Sequence, residues 1–496
     1  MRSDVTNIEL PEAGQLVAGE WSAPTERLDL VLEDPYRGTS LGAAAATSDT
    51  DVERALTTAQ AAYDDGGWLT LDVERRAEIL DAVGTALEAE LPRIAGLEAF
   101  ATGVPVRQTS IVGVIVPGAF HLAAGMLRAG VLRDDQTSDA GNAVEVHRLP
   151  LGPAVCLVPW NAPAPMAAHK VASALAAGAP TILKPSEYAP YGTSELGRVV
   201  GRVLAEAGVH PGMFQLVQGG PHVGGLLVRD RRVRAVSFTG GALGGRAVAA
   251  ACAEDFTALQ LELGGNNPLV VMPDADPAAA AQAATDLLTT LNGQWCRALG
   301  RLILPAAIAD EVLALALDRL GKLTVGDPLD PETDLGPIVH SAHAARLRDE
   351  IATREAAGGT AHASTTVPDG DGSFLAPTLL TGVPGEAATE EMFGPVATVH
   401  TYETEAEAVA LANGTPFGLE GYVVGTDTDR AMAVARQVRA GEVKVNGSTI
   451  MSLHLMTPRP AWGLSGLGEE GTVETIRTFT GARVVGVEGM TALHGR

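Results

Sequence analysis

The stretch PAVCLVPWNAPAPMAAHKVASALAAGAPTILKPSE, residues 153–187, decides the fold class of this protein. It opens with an apolar run at 153–160 and closes with a second one at 179–185. The segment between them, 165–177, is rich in alanine and has the composition of a helix. Two apolar strands joined through a helix are typical of a βαβ unit, in which parallel strands are covered by helices. The stretch therefore predicts an α/β fold.

The same alternation continues along the rest of the chain. Further strand-like runs lie at 234–240, 267–272 and 301–305. Further segments with helical composition lie at 51–65, 72–99, 192–207, 276–290, 307–321, 341–357 and 404–412. The chain has 496 residues, which is more than one hydrophobic core usually supports, so we expect two or more domains.

Two segments, 132–152 and 474–488, stand apart from this pattern because they alternate polar and apolar residues. An isolated strand would leave its backbone groups open. We therefore predict that both segments are extended strands, which pair with each other or with another subunit.

The composition indicates a globular protein with a strong negative charge. Hydrophobic residues make up 46% and the formal net charge is −25. Because phosphate groups and anionic membrane surfaces would be repelled, neither nucleic acid nor a membrane is an expected partner. The first ten residues, MRSDVTNIEL, lack the apolar core of a signal peptide, and the expected localisation is cytoplasmic.

Three cysteines occur, and their sparse spacing predicts neither disulfides nor a metal site. Cys156 and Cys252 lie in apolar or alanine-rich runs and are interpreted as packed thiols. Cys296 lies in LNGQWCRALG, residues 291–300. A free cysteine is more often a small buried hydrophobe than a nucleophile, so Cys296 needs support from other motifs.

That support comes from four separated stretches, which resemble the aldehyde dehydrogenase superfamily when they are taken together in this order. They are PWNAPAPMAAHKVASALAAG with TILKPSE (159–178 and 181–187), SFTGGALGGR (237–246), LQLELGGNNP with NGQWCRALGR (259–268 and 292–301), and EEMFGPV with ANGTPFGL (390–396 and 412–419). The resemblance runs from about residue 16 to about residue 488. It implies a Rossmann-like cofactor domain, an α/β catalytic domain and a small β arm for oligomerisation.

The resemblance also suggests domain boundaries. An NAD-binding domain would comprise 1–131 and 151–258, and a catalytic domain 259–446. The oligomerisation arm would comprise 132–150 and 472–488, with 447–471 as a returning segment. Relatives of this kind are dimers or tetramers, so a homodimer or homotetramer is expected.

The catalytic candidates follow from the resemblance and from the chemistry of aldehyde oxidation. A thiolate that adds to an aldehyde forms a thiohemiacetal, which can expel a hydride and leave a thioester. Cys296 is the expected nucleophile and Glu262 the general base for hydrolysis of the thioester. Asn161 and the backbone N–H of Cys296 are assigned to the oxyanion, although Asn161 could also cap the following helix. Lys170 and Glu470 match a proton relay, with an ordinary ion pair as the alternative.

The expected cofactor is NAD, with NADP as the alternative. Glycines between a strand and a helix let a pyrophosphate approach the helix N-terminus, and a carboxylate at the adenosine ribose favours NAD. Gly241 stands where relatives usually have Ser or Thr. The residues assigned to the cofactor are Trp160, Lys184, Ser186, Glu187, Gly240, Gly241, Gly245, Leu263, Glu391 and Phe393.

The substrate pocket differs from the bulky, often aromatic pocket of relatives. Pocket positions after PWN are Ala162, Pro165, Met166 and His169, and Trp295 and Arg297 flank the nucleophile. We hypothesise a polar or anionic aldehyde, bound through Arg297 and His169, because Arg can bind a carboxylate through two hydrogen bonds. A structural ion pair of Arg297 is the alternative.

Two other functions stay open. A semialdehyde dehydrogenase that transfers the acyl group to coenzyme A is one, and the presence of Glu262 argues against it. A silent family member that serves as a binding or structural protein is the other, and the joint presence of Asn161, Glu262 and Cys296 argues against it.

Overall fold

The computed structural model describes residues 8, 10–139 and 141–488. Residues 1–7 and 9 of the predicted NAD-binding domain and residue 140 of the predicted arm lie outside the described residues. The helices are, in chain order, α1 (Asp49–Asp65), α2 (Gly67–Thr70), α3 (Val73–Thr102), α4 (Val106–Gly113), α5 (Ile115–Arg128), α6 (Pro163–Ala177), α7 (Tyr191–Glu206), α8 (Pro221–Val228), α9 (Ala242–Glu254), α10 (Pro277–Thr289), α11 (Ala309–Leu320), α12 (Ser341–Ala356), α13 (Glu405–Ala412), α14 (Thr428–Ala435) and α15 (Thr472–Thr478).

The first large sheet has eight strands and a parallel centre. Its spatial order is β2 (Glu20–Ser22), β1 (Gln15–Val17), β9 (Phe214–Leu216), β8 (Thr181–Lys184), β7 (Ala154–Leu157), β10 (Ala235–Thr239), β11 (Ala258–Glu262) and β22 (Gly466–Leu467). The five strands from β9 to β11 are parallel, whereas β1, β2 and β22 run antiparallel to their neighbours. The βαβ unit predicted from residues 153–187 is therefore confirmed.

The second large sheet has seven strands and is mostly parallel. Its spatial order is β14 (Thr360–His362), β15 (Thr378–Thr381), β16 (Val396–Tyr402), β13 (Leu299–Pro305), β12 (Asn267–Val271), β18 (Glu420–Val424) and β19 (Glu442–Val445). Only the β14–β15 pair in this sheet is antiparallel. Three two-stranded pairs accompany the sheets: β3 (Glu26–Glu33) with β4 (Ser40–Ala46), β17 (Phe417–Gly418) with β21 (Trp462–Gly463), and β20 (Arg459–Pro460) with β23 (Glu469–Glu470).

Helices cover both faces of each large sheet, as the side-chain alternation along single strands shows. In β7, Ala154 and Cys156 enter one buried cluster, and Val155 and Leu157 enter another. In β12, Leu269 and Val271 pack on one side and Val270 on the other. A strand that is buried on both faces is typical of a parallel sheet between two helix layers.

The arm is a three-stranded antiparallel sheet of β24 (Thr480–Gly486), β6 (Ala143–Pro150) and β5 (Gln136–Thr137). The prediction that the two alternating segments pair with each other is confirmed. The prediction that 474–488 is extended throughout is wrong, because Thr472–Thr478 forms α15. Ile476 and Phe479 are both buried in the first core, and their separation by three positions suits a helical turn rather than a strand.

One helical stretch of the described residues, Val106–Arg128, is long and apolar enough to cross a membrane by length and composition. Val114 divides it into α4 and α5. Phe120 and Leu127 of α5 are buried in the same core cluster as residues of α3 and α6. The stretch is therefore part of the packed core.

Candidate active site

Several predicted site residues lie at or just after the carboxyl ends of strands in the first sheet, and the predicted nucleophile lies beside the second sheet. Trp160 and Asn161 follow the carboxyl end of β7, Lys184 ends β8, and Glu262 ends β11. Cys296 lies in the loop that leads into β13 of the second sheet. Ligands of open α/β sheets bind at the carboxyl ends of the strands, so this arrangement is typical of an active site.

The loop before Cys296 has an unusual backbone conformation. Leu291, Asn292 and Gly293 all have positive φ angles, of +50°, +57° and +68°. The buried Asn292 side chain stabilises this turn: its amide donates to the carbonyls of Gly103 and Pro337, 2.8 and 3.0 Å away. A side chain at position 293 would collide with the backbone of Pro395. Strain of this kind persists only where the surroundings over-determine it, which is common at functional sites.

Side chains from other strands also hold the carbonyl groups beside the nucleophile. The Asn267 amide donates to the carbonyl oxygens of Cys296 and Ala298, at 2.9 and 2.8 Å. The Tyr422 hydroxyl donates to the carbonyl of Arg297 at 2.8 Å. The position of the Cys296 backbone is therefore fixed by hydrogen bonds from β12 and β18.

Cys296 differs from the other two thiols in its exposure. Cys156 and Cys252 are buried, as predicted, whereas Cys296 is partly exposed. Enclosure of the Cys296 sulfur raises the pKa of its thiol to about 12, and the neighbouring charge of Arg297 opposes that rise. The thiol is therefore the resting form at neutral pH, and a base must take its proton before it attacks.

The Asn161 amide points toward the nucleophile loop. Its Nδ2 donates to the carbonyl oxygen of Gln294, two residues before Cys296, at 2.8 Å. Asn161 does not cap α6, because the residue at the N-cap is Ala162 and no side-chain cap is formed there. The capping alternative is therefore wrong, and the amide stays close to the thiol.

Glu262 and Glu470 form a buried pair of carboxyl groups. Glu262 is 4% exposed, and its Oε1 has no hydrogen-bond partner among the described residues. Burial and the charge of Glu470 both raise the pKa of Glu262. Burial also opposes ionisation of Glu470, but the charge of Arg459, supported by that of Lys170, outweighs it and holds the pKa of Glu470 well below its usual range. A carboxyl group with a raised pKa suits a general base that works near neutral pH.

Lys170 is fully buried, and the charges of both Glu262 and Glu470 act on it. Its Nζ donates to the Ser237 hydroxyl at 2.5 Å, and that hydroxyl donates to Gln260 at 2.7 Å. Burial lowers the pKa of Lys170 although the charge of Glu470 opposes this shift. The structure therefore brings Lys170 into the neighbourhood of Glu470, while its direct contact is with Ser237.

The glycine-rich turn after β10 leads directly into α9. Gly241 is the N-cap of α9 and makes no side-chain cap, and a Cβ at this position would meet nothing within 4 Å. Gly245 packs against Leu263, because a Cβ there would lie 2.6 Å from the Leu263 side chain. The open N-terminus of a 13-residue helix fits the approach of a pyrophosphate.

Lys184, Ser186 and Glu187 lie at and just after the carboxyl end of β8, two strands away from β10 in the first sheet. The Lys184 Nζ lies 3.7 Å from the carboxylate of Glu187 and 3.0 Å from the carbonyl of Pro185. The Ser186 hydroxyl accepts a 3.4 Å hydrogen bond from the backbone N–H of Tyr188. A Cβ on Gly220 would come within 3.6 Å of Glu187, which leaves the carboxylate close to the backbone after β9.

Glu391 and Phe393 close the other end of the predicted cofactor site. Glu391 accepts a 2.8 Å hydrogen bond from the N–H of Gly265, and burial raises the pKa of Glu391 to about 7. Phe393 has a φ of +54°, and its ring lies edge-on to Trp160 at 5.4 Å. His343 of α12 donates to the Phe393 carbonyl at 2.9 Å and contacts the same tryptophan. His343 could not be recognised from the sequence, because its helix has the composition of an ordinary surface helix.

The predicted substrate residues have different surroundings. Met166 is partly buried against the first core. His169 lies 3.1 Å from the Thr475 hydroxyl and 3.8 Å from Glu470, and burial lowers its pKa to about 4. Trp295 is buried in the second core, and its indole N–H has no partner among the described residues. Ala162 and Pro165 line a small cavity together with Glu98 of α3.

The structure corrects the prediction that Arg297 binds substrate. Its guanidinium is buried between the carboxylates of Glu420 and Glu442, and Lys444 pairs with Glu420 at 2.8 Å. We call these four residues the buried quartet. The charge of Arg297 is already neutralised, so the structural ion pair, which was the alternative, agrees with the geometry.

A further cation, which could not be recognised from the sequence, contacts Glu470. Arg459 in β20 donates to Glu470 at 3.0 Å and is 24% exposed along its side chain. In the sequence, Arg459 is marked only by its position shortly before the GLSGLGEEG turn (463–471), and its own segment has few recognisable motifs.

Comparison with known proteins identifies the family of the chain. The sequence pattern of the aldehyde dehydrogenase family matches residues 21–485. The chain is 33% identical over 480 residues to 3-succinoylsemialdehyde-pyridine dehydrogenase of a Pseudomonas species, covering 95% of this chain and 98% of that protein. It is 35% identical over 436 residues to betaine aldehyde dehydrogenase of Cereibacter sphaeroides, covering 88% of each.

A solved structure agrees with this similarity. Betaine aldehyde dehydrogenase of Staphylococcus aureus, a point mutant crystallised in complex with NAD+, superposes with a TM-score of 0.91 at 28% identity. The alignment covers 98% of this chain and 99% of that one. The chain thus belongs to the aldehyde dehydrogenase family.

Proposed function

We propose that this protein oxidises an aldehyde to a carboxylate with NAD, through a thioester on Cys296. The observation that carries the proposal is the convergence of three groups. The partly exposed thiol of Cys296 lies in a loop that hydrogen bonds hold in place, and the Asn161 amide donates to that loop. The buried Glu262 has a carboxyl oxygen without a hydrogen-bond partner among the described residues.

The first step is the attack of Cys296 on the aldehyde carbon. The Cys296 thiol first gives its proton to a base, for which the neighbouring Glu262 is the candidate. The thiolate then forms a C–S bond while the C=O π electrons move to oxygen, and the Asn161 amide and the Cys296 N–H would stabilise the oxyanion. One such donor contributes about 3 kcal/mol to the transition state. Collapse of the oxyanion restores the C=O bond and releases hydride from carbon, which leaves a thioester on Cys296.

The second step is hydrolysis. Glu262 takes a proton from water as the water oxygen attacks the thioester carbon, and the C–S bond then breaks to release the carboxylate and the thiol. The raised pKa of Glu262 suits this role, and its buried, unpaired oxygen can accept the proton. Glu262 therefore favours water over coenzyme A as the acceptor of the acyl group.

NAD fits the residues around the turn before α9 and around Glu391. When it is bound, NAD supplies the acceptor for the hydride. Gly241 would leave room for its pyrophosphate at the helix N-terminus, while Gly240 and Gly245 let the turn pack against Phe238 and Leu263. Lys184 and Glu187 would hold the adenosine ribose. A Cβ on Gly264 would lie 1.8 Å from the Glu391 carboxylate, so this crowded turn fixes Glu391 for the nicotinamide ribose. Solved relatives in complex with NAD+ support the choice.

The substrate is proposed to be a polar or anionic aldehyde. The site contains the charged and polar side chains of His169, Glu470 and Arg459, which a pocket for an apolar aldehyde would not need. Relatives named for semialdehydes and for betaine aldehyde support this proposal, whereas another relative is named for geranial.

The proposed assembly is a homodimer or homotetramer in the cytoplasm. The arm supports this proposal because Val484 and Val485 of β24 are 63% and 50% exposed. An exposed strand with apolar side chains favours pairing with a second copy. The proposed domain boundaries are 131, 150, 258 and 446, although β11 of the first sheet continues past 258 to Glu262.

The test is NADH formation with neutral and acidic aldehydes, with and without coenzyme A, for the wild type and Cys296→Ala. We expect turnover without coenzyme A, and its loss in the variant. A requirement for coenzyme A would favour the acylating alternative. NAD binding without turnover of any aldehyde would favour the silent family member.

A further inference from the structure

Arg459 faces the same space as the catalytic carboxyl groups. β20 pairs with β23 in antiparallel register, with Arg459 directly opposite Glu470. Side chains of directly opposed residues project from the same face of a strand pair. Glu470 is buried toward His169, so Arg459 also projects toward the wall that carries His169.

Most of the hydrogen-bonding capacity of Arg459 is unused. Its Nη2 contacts Glu470, and no other partner lies within hydrogen-bond distance of the guanidinium among residues 8, 10–139 and 141–488. The side chain is 24% exposed, and its Nε and Nη1 groups have no hydrogen-bond partner among these described residues. A guanidinium offers five donors in a planar fork that matches a carboxylate.

The contrast with Arg297 shows which cation is available to a ligand. Arg297 is 7% exposed and is enclosed by two carboxylates. Arg459 has one carboxylate partner, which also faces His169 and Lys170. The other groups around Arg459, Glu262 and His169, both have pKa values shifted toward their neutral forms.

We propose that Arg459 binds the distal carboxylate of the substrate, so that the preferred substrates are acidic semialdehydes. This inference rests on the proposed aldehyde oxidation at Cys296. The aldehyde carbon lies at the thiol while the carboxylate pairs with the free edge of the guanidinium, and Glu470 holds the opposite edge in place. Arg459 is thus a specificity-determining residue.

The experiment compares two aldehydes of equal carbon number, succinic semialdehyde and butanal, which differ in a terminal carboxylate. The wild type should oxidise succinic semialdehyde with the higher kcat/KM. Arg459→Met should lower kcat/KM for succinic semialdehyde about 10- to 100-fold more than for butanal, mainly through KM, because one charge-assisted pair is lost. The preference of Arg459→Lys for succinic semialdehyde over butanal should lie between the preferences of the wild type and Arg459→Met. Arg430→Met is the matched control, because this surface arginine pairs with Glu405 on the outer helices.

A second readout does not need turnover. Succinate should protect Cys296 of the wild type from iodoacetamide better than butyrate does, and Arg459→Met should lose that difference. Equal preference in the wild type and Arg459→Met, or equal protection by both acids in the wild type, would overturn the inference. If the wild type oxidises butanal as well as succinic semialdehyde, the inference about Arg459 is overturned while the proposed aldehyde oxidation stands. Failure with both aldehydes would count against the proposed function, and the protection assay would still decide the role of Arg459.

Discussion

Replacing Arg297 by methionine should destabilise the protein without removing its preference among aldehydes. The buried quartet holds two cations, Arg297 and Lys444, and two carboxylates, Glu420 and Glu442, and each of these residues is at most 8% exposed. Arg297→Met keeps much of the volume but leaves two carboxylates against one ammonium. One buried negative charge then lacks a partner.

The size of the loss follows from this imbalance. Breaking a buried ion pair by removing one partner costs about 3–5 kcal/mol, whereas an exposed pair contributes about 0–1 kcal/mol. Arg297→Met should therefore lower the free energy of unfolding by about 3–5 kcal/mol. The double variant Arg297→Met/Glu442→Met removes one charge of each sign, keeps the Lys444–Glu420 pair, and should lose less than Arg297→Met alone. Arg430→Met should lose about 1 kcal/mol or less.

Urea unfolding followed by tryptophan fluorescence measures these differences. The rate of alkylation of Cys296 gives a second measure, because the charge of Arg297 opposes the rise in the thiol pKa. Alkylation near pH 8 should be slower in Arg297→Met. A loss of stability no larger than that of Arg430→Met, together with loss of any acid preference, would refute the buried quartet and return Arg297 to the substrate site.

Three further predictions concern the base and the cofactor site. Glu262→Gln should give one burst of NADH per active site and then a steady rate reduced about 10²- to 10⁴-fold, seen by stopped-flow, because hydrolysis loses its base; an unchanged steady rate would contradict this. Because burial and Glu470 raise the pKa of Glu262, and the base acts when it is deprotonated, kcat should rise with pH through neutrality. Glu470→Gln should move this rise to lower pH, and a profile identical to that of the wild type would show that the carboxyl groups are not coupled. Gly264→Ala should raise KM for NAD, because its Cβ would displace the Glu391 carboxylate, while Gly385→Ala, with no atom within 4 Å, is the neutral control.

The strand–helix order could be predicted from the sequence because periodicity and alanine-rich runs are local signals. Every helix predicted from composition is present within a few residues, including α6 and α12. The helix α15 was missed because a seven-residue helix leaves too short a pattern, and its burial depends on tertiary packing. The pair α4 and α5 was not predicted either, since its valines and isoleucines suit several structures equally.

The candidate site could be predicted where a motif carried the chemistry, as for Cys296, Glu262 and Asn161. Charge pairing across the fold could not be predicted. Arg297 meets Glu420 and Glu442 only because β18 and β19 lie beside the nucleophile loop. Arg459 meets Glu470 through the register of two-residue strands, which no local pattern specifies.

The most direct test of the central claim is the mass of the enzyme trapped during turnover. Glu262→Gln, mixed with NAD and an aldehyde it accepts, should gain the mass of one acyl group. Peptide mapping should place that group on Cys296, and Glu262→Gln/Cys296→Ala should gain none. An acyl group on Cys156 or Cys252, or NADH formation without any covalent acyl enzyme in this slowed variant, would contradict the thioester mechanism.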